Sequence, residues 1–295
     1  MTVSIRPLHP MFCGEVDGVD LTCALTQEEV AAIEAGMDEY AVLVFHDQNI
    51  TDEQQLDFSR NFGTLELPGA ASNITKTKDR RLRAELADVS NLNRDHKPFD
   101  RDDRHRMFNL GNRLWHSDSS FRAVPAKYSL LSGRIVSKSG GNTEFADMRA
   151  AYNALDDRTK AEIEDLVCEH SLLYSRGKLG FDALSEEEIA NFKPVRQKLV
   201  RTHPVTGRKS LYLSAHIGKI IGWPTPEARV LIQDLTEDAT RPEFVHSHKW
   251  RQYDLVMWDN RQVMHRVRRF DDVAEVRDMR RTTIAGEEMT VEQAA

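Results

Sequence analysis

Cysteine is nearly absent, and the little there is forms no framework. Cys13, Cys23 and Cys168 are odd in number, far apart and without a C-x-x-C pair. That argues against a disulfide scaffold and a thiolate metal cage alike, so any metal would rest on histidine and carboxylate. Long apolar runs are missing too. Stretches such as Ala41 to Phe45 fall far short of the roughly 18 to 20 residues that span a bilayer, and the first residues show no basic-then-apolar signal pattern. A soluble, cytoplasmic protein is the expectation. Nor is there an excess of positive charge: 40 Lys+Arg stand against 47 Asp+Glu, a formal net charge of −7. No global field therefore draws nucleic acid or an anionic membrane, and an anion site would need a local concentration of charge. Repeats and low-complexity linkers are lacking as well. A length of 295 residues suits one elaborated β domain as readily as two, and the expectation is a single domain over residues 1–295.

What is present reads as strands with helices between them. Thr26 and Glu29 form a capping box, with Val30, Ile33, Met37 and Tyr40 at helical spacing, so an amphipathic helix precedes a strand at Ala41 to Phe45. Thr51 opens a second short helix ending near Gly63. From Thr64 to about Asn112 apolar periodicity lapses, and this stretch is expected to be a long loop or lid. Its charge run, with Lys76, Lys78, Arg80, Arg81 and Arg83, reads as a solvated face or a source of cations. Met148, Ala151, Tyr152 and Leu155, then Ile163, Leu166 and Val167, suggest a helical pair, and Pro226 to about Ala239 a further helix. Leu199 to His203, the Thr206-Gly207 turn, Leu211 to Leu213, Leu255 to Trp258 and Arg280 to Ile284 look like strands of a hairpin-rich antiparallel sheet. The predicted class is a β-rich α+β fold, naturally a two-layer β-sandwich closing around a site.

In Trp115-His116-Ser117-Asp118, an imidazole and a carboxylate stand at i and i+2. On an extended segment both project from one face with Cα atoms roughly 6 to 7 Å apart, and both reach one ion. A third imidazole would complete a two-His-one-carboxylate face with three positions open, the arrangement used for Fe(II) and O₂. His265 is a candidate, although an H-x-D alone equally describes a solvated histidine beside a turn-favouring aspartate. Downstream, Arg277 and Arg281 are four apart, so on a strand they share a face with Met279 and Thr283 while Arg280 and Thr282 turn away. Each guanidinium can grip a carboxylate with a bidentate fork. The same segment, with Asp271, Asp272, Glu275 and Asp278 interspersed, also reads as a solvated charged face. A competing H-x-H at His246 and His248 could serve a zinc site, but alternation with Phe244 and Trp250 fits a core-lining strand. His46 and Asp47, being adjacent, point opposite ways if extended.

The order H-x-D, Gly140-Gly141-Asn142-Thr143, a distal histidine and R-x-x-x-R-x-T resembles the taurine/2,4-dichlorophenoxyacetate dioxygenase (TauD/TfdA) family. Pro7-Leu8-His9-Pro10, Arg60-Asn61-Phe62-Gly63, Leu114 through Phe121, Asp147 through Tyr152 and Leu255 through Arg261 read like its phenoxyacetate branch, so the likeness covers nearly the whole chain. The lid departs from that branch at Ala70-Ala71-Ser72-Asn73, where a lysine-bearing stretch is expected. The resemblance implies a double-stranded β-helix (jelly roll) core with flanking helices and a lid over about 64–112. It implies His116, Asp118 and His265 as metal ligands and catalytic centre, Thr143 and Arg277 on the distal carboxylate of 2-oxoglutarate, and Arg281 beside its 1-carboxylate or the substrate's anion. Asn112, His203 and His216 are the expected substrate-side residues, against structural roles for each. The implied cofactor is Fe(II), with 2-oxoglutarate and O₂ as co-substrates and ascorbate as an optional stimulant. The implied reaction hydroxylates a small carboxylate, an aryloxyalkanoate such as 2,4-dichlorophenoxyacetate, giving a phenol and glyoxylate alongside succinate and CO₂, as in degradation of aromatic herbicides. An alkanesulfonate substrate of the taurine type and a zinc hydrolase on the same ligands are the alternatives; against the latter, no H-E-x-x-H supplies a water-activating glutamate. The expected partners are the small-molecule substrate and a second copy of the chain in a homo-oligomer, with neither nucleic acid nor membrane.

Overall fold

A computed structural model describes residues 2–67 and 72–293. Among the described residues, seven strands form the main sheet in the spatial order Ser4–Pro7, Gly14–Asp17, Val42–Phe45, Leu255–Asp259, Tyr128–Ile135, Asp278–Thr283 and Ala87–Asp88. All its pairs are antiparallel except Gly14–Asp17 with Val42–Phe45. Val42–Phe45 and Leu255–Asp259 are buried at every residue, which is why they read as unbroken apolar runs: both faces of the sheet are covered. On one face Leu43, Phe45, Tyr128, Leu130, Leu255 and Met257 pack with Ile33 and Met37 of the helix Gln27–Tyr40. On the other, Val42, Val44, Leu131, Val256 and Trp258 meet Phe145 and Val263 of a second sheet.

That second sheet runs Val245–His248, Thr143–Asp147, Val263–Val267. Its register sets Val263 opposite Asp147, His265 opposite Phe145 and Val267 opposite Thr143, so Thr143, Phe145 and His265 share the face turned to the main sheet. An isolated antiparallel bridge between His116 and His265 continues the sheet by one residue. A third sheet, Ile217–Ile220, Val167–His170 and Val195–Lys198, and the hairpin Val200–Thr202 with Lys209–Leu211 back this layer together with the helices Met148–Ala154 and Thr225–Ala239.

The mixed fold with facing sheets agrees with the sequence reading at this coarser level, and both N-terminal capping boxes are present, Thr26 with Glu29 and Thr51 with Gln54. Three expectations need correction. Ala41 is not strand but the left-handed cap of the preceding helix, at φ 58°. Val167 begins a strand rather than ending a helix. The presumed lid is not structureless: it carries the strand Ala87–Asp88, the helix Arg104–Asn109 capped by Asp103, and a 3₁₀ turn at Leu110–Arg113. Within its charge run the Arg81 side chain is only 2% exposed and ion-pairs with Asp88 at 2.8 Å and Asp278 at 2.7 Å. Ala70 and Ala71 of the departing lid stretch lie outside the described residues. Among the described residues no helix is long and apolar enough to cross a membrane.

Candidate metal centre and substrate cavity

His116 and His265 are tied by their backbones, each amide donating to the other's carbonyl at 3.0 and 2.9 Å. Residues bridged in this way present side chains on the same side, and the two imidazole centroids lie 4.2 Å apart. Asp118, two residues on, returns to that side. One ligand atom from each of His116, Asp118 and His265 lies within 4.8 Å of the others, and all three residues are buried. The His116 Nδ1–H donates to the Leu114 carbonyl at 2.7 Å, which leaves the Nε2 lone pair for an ion, 3.9 Å from one Asp118 oxygen. Nε2 of His265 is 3.7 Å from the other. Nδ1 of His265 is buried without a protein partner.

The carboxylate is held by groups that the sequence reading missed. Ser129 donates to Asp118 Oδ2 at 2.8 Å, Asn260 donates to the Ser129 hydroxyl at 2.9 Å, and the Asn260 side-chain oxygen accepts from the Asp118 amide at 3.1 Å. Trp258 Nε1 fixes that same oxygen at 3.0 Å. Asn260 stands in the Trp258-Asp259-Asn260-Arg261 run, which had been read only as a family motif. Arg281 donates to Asp118 Oδ1 at 2.5 Å. Burial pushes the Asp118 carboxyl up, but Arg281, the two imidazoles and Ser129 outweigh it and hold it at about 2. Burial drives His116 and His265 below the usual histidine range. The face therefore offers two neutral imidazoles and one carboxylate, a donor set that fits Fe(II) or another divalent first-row ion.

Arg277 lies at the edge of a small cavity of about 60 Å³, together with Phe270, Asn91 and Asn112. Among the described residues its buried guanidinium makes no ion pair, although Asp272, paired with Arg106, lines the same cavity. It donates to the Gly141 carbonyl at 3.5 Å and sits 5.5 Å from the Phe270 ring, and burial pushes its pKa down to about 10. A buried cation without an ion pair is able to take up an anion. Thr143 is buried and accepts from Trp250 Nε1 at 2.9 Å. The larger cavity, about 360 Å³, meets the metal face at Ser119, Phe121 and Arg281 and is walled by the lid through residues such as Leu82, Leu92 and Phe99.

Of the four expected substrate-side residues, the structure brings His216 and Arg281 beside the candidate ligands, Arg281 through its pair with Asp118. His216 packs its ring 5.9 Å from that of His116 and 5.1 Å from Phe121, and its Nδ1 pairs with the Ser175 hydroxyl at 2.9 Å. Asn112 sits instead in the small Arg277 cavity, because its 3₁₀ turn runs beside Val267 and Phe270. His203 is buried away from both cavities. One ring nitrogen faces Asp259 at 3.3 Å and the other accepts from the Thr206 amide at 3.2 Å, so it braces its own turn. Among the described residues His246 and His248 do not join a three-ligand cluster: His248 pairs with Asp254 at 3.1 Å, and His246 lies edge-on to Phe12 and His9.

Residues 4–283 match the family described as "Taurine catabolism dioxygenase TauD, TfdA family". The chain is 47% identical over 283 residues to the alpha-ketoglutarate-dependent 2,4-dichlorophenoxyacetate dioxygenase of Cupriavidus pinatubonensis, covering 96% of this chain and 98% of that one. It is 39% identical to the (S)-phenoxypropionate/alpha-ketoglutarate-dioxygenase of Sphingobium herbicidovorans, covering 96% and 95%. Among solved structures it is similar to AAD-2 in complex with Mn(II) and N-oxalylglycine, at 63% identity and a TM-score of 0.96, over 99% of this chain and 100% of that one.

Proposed function

Because the chain belongs to the TauD/TfdA dioxygenase family, we propose that it is an Fe(II)- and 2-oxoglutarate-dependent oxygenase that hydroxylates an aryloxyalkanoate on the carbon next to the ether oxygen. The observation that carries this reading is the buried His116–Asp118–His265 cluster, whose Asp118 is paired with Arg281, a residue that also lines a cavity of about 360 Å³. Relatives named for phenoxy acids support the substrate class. The Mn(II) and N-oxalylglycine seen in AAD-2 support the co-substrate, since N-oxalylglycine differs from 2-oxoglutarate by NH in place of one CH₂.

In this reading His116, Asp118 and His265 hold the ion, and Arg277 with Thr143 receives the distal carboxylate of 2-oxoglutarate. When bound, iron and 2-oxoglutarate supply the oxidising chemistry: O₂ is consumed, 2-oxoglutarate becomes succinate and CO₂, and one oxygen atom enters a substrate C–H bond. The residues of the chain do the rest. Arg281 keeps Asp118 ionised and places positive charge at the cavity mouth for an anionic substrate. Phe121 and Phe99 offer aryl-packing surface, and the lid holds the target carbon against the metal face while excluding water. The hydroxylated product is a hemiacetal, which breaks its C–O bond to release the phenol and glyoxylate, the hydroxyl proton passing to the departing aryl oxygen.

The same reading takes residues 1–295 as one double-stranded β-helix unit with its lid at about 64–112, and a homo-oligomer as its assembly. The family match leaves the zinc-hydrolase alternative without support. Anaerobic addition of Fe(II) and 2-oxoglutarate should produce a weak visible charge-transfer band in the wild type and none in His116→Ala. A wild type without the band overturns the metal and co-substrate assignment. Succinate release, with and without ascorbate, across aryloxyacetates, arylpropionates, cinnamates and alkanesulfonates tests the substrate; turnover confined to sulfonates would sink the aryloxyalkanoate reading alone.

A further inference from the structure

The segment that bears Arg277 has no regular structure of its own before Asp278, where the strand begins. What shapes it comes from the lid. The side chain of Asn91, buried at 8% exposure, spends both of its donors and its side-chain oxygen on this segment. Oδ1 accepts from the Arg277 amide at 2.8 Å, while Nδ2 donates to the Asp272 carbonyl at 2.8 Å and the Glu275 carbonyl at 2.6 Å. The Asn91 amide adds a fourth bond, donating to the Arg277 carbonyl at 3.2 Å. An asparagine amide has two donor hydrogens and one acceptor oxygen, and all are committed here. No other natural side chain of this length offers that pattern.

Among the described residues the guanidinium at the far end is held only by the long contact to Gly141 and by the Phe270 ring 5.5 Å away. Its direction therefore depends on where the Arg277 backbone is fixed, and both backbone polar groups of Arg277 are held by Asn91. Ser90 lines both cavities, Leu92 the larger one and Asn91 the small one. One short stretch of lid thus forms a wall of the cavity and the mount of the arginine.

We propose that Asn91 is a positioning residue for Arg277, tying the wall of the substrate cavity to the grip on the co-substrate's distal carboxylate. The inference rests on the reading of Arg277 as that grip. Asn91 does not touch the co-substrate; it acts through the backbone of Arg277.

The test uses the full chain loaded with Mn(II). Asn91→Ala should weaken 2-oxoglutarate binding, measured by titration calorimetry, by tenfold or more, the scale on which outer-lying partners tune a site. Its Mn(II) affinity should match the wild type, and its turnover at saturating 2-oxoglutarate should fall by much less than its binding. Hydrogen exchange supplies a readout independent of activity: the Arg277 amide should exchange faster in Asn91→Ala and stay protected in Asn91→Asp, which keeps the acceptor and loses both donors. Asn91→Asp also serves if the alanine variant does not fold, and should itself lose 2-oxoglutarate affinity. Unchanged affinity in the variant that folds overturns the proposal, as does an equal loss of metal binding. Arg277→Met separates the two levels. If it binds 2-oxoglutarate normally, the underlying reading fails; if it loses binding and the Asn91 variants do not, only this inference fails.

Discussion

Replacing Arg277 by methionine should make the ligand-free protein more stable while abolishing its response to 2-oxoglutarate. The guanidinium is buried without an ion pair among the described residues, and its pKa is pushed down from 12.5 to about 10. A depression of that size corresponds to roughly 3 kcal/mol against folding with the charge in place. For a base whose folded pKa is lowered, the penalty is complete at every pH below about 10 and is relieved only in alkali, so it applies in full at neutrality. Methionine is of similar length, fills the space and carries no charge. It forfeits the Phe270 ring contact and the long bond to Gly141, together worth about 1 kcal/mol. The balance favours the variant by about 1 to 2 kcal/mol, or a melting temperature higher by roughly 2 to 6 °C for a chain of this size. Against this, 2-oxoglutarate at a hundredfold excess over its dissociation constant should stabilise the wild type by about 2.7 kcal/mol, and the variant not at all. Thermal melts of both Mn(II)-loaded proteins, with and without 2-oxoglutarate, give all four values. A variant that melts below the wild type without ligand would refute the account of an uncompensated cation; one that keeps the ligand shift would refute the anchor.

Ser129→Ala removes the hydroxyl that donates to Asp118 and accepts from Asn260, and should weaken Mn(II) binding by about tenfold; a titration showing unchanged affinity would contradict the role given to that chain of bonds. Gly140→Ala places a Cβ 2.2 Å from the Arg269 carbonyl oxygen at a φ of +68°, and should cost about 2 to 3 kcal/mol in urea unfolding. Gly180→Ala, also at positive φ but in open space, should cost only about 1 kcal/mol, and equal losses would show that the close approach is not what matters. His170 is buried with neither ring nitrogen bonded, and burial lowers its pKa from 6.5 to about 3. Its folded pKa being depressed, stability is whole above pH 6.5 and falls as pH drops toward 3, by about 1.4 kcal/mol per unit. His170→Phe should flatten that slope, and identical acid-unfolding curves would rule the assignment out.

How much of this was legible beforehand follows the range of the interactions. His116 and Asp118 stand out because their geometry is local, two residues apart on extended chain, and the capping boxes at Thr26 and Thr51 are equally local. His265 and Arg277 came from a family pattern, since nothing near either residue announces the bridge to His116 or the cavity beside Gly141. The lid was misjudged for the same reason. Arg104–Asn109 is too short and too polar for an apolar stripe, and the order around it comes from Arg81 with Asp278, Arg106 with Asp272 and the bonds of Asn91, all joining residues far apart in sequence. His203 looked chemical because histidine often is; only its two ring partners reveal a brace. Asn112 lines the same small cavity as Arg277, a placement that sequence order does not announce because it does not say which cavity a turn faces.

The backbone bridge between His116 and His265 bears on what the metal-free protein is expected to look like. The entropic cost of closing the long loop between two ligands is met when the sheet forms, so the ion is not required to gather its own ligands. On that basis the metal-free protein is expected to keep its fold, unlike domains that unravel without their ion, and matching far-UV circular dichroism with and without Mn(II) is the measurement that checks it.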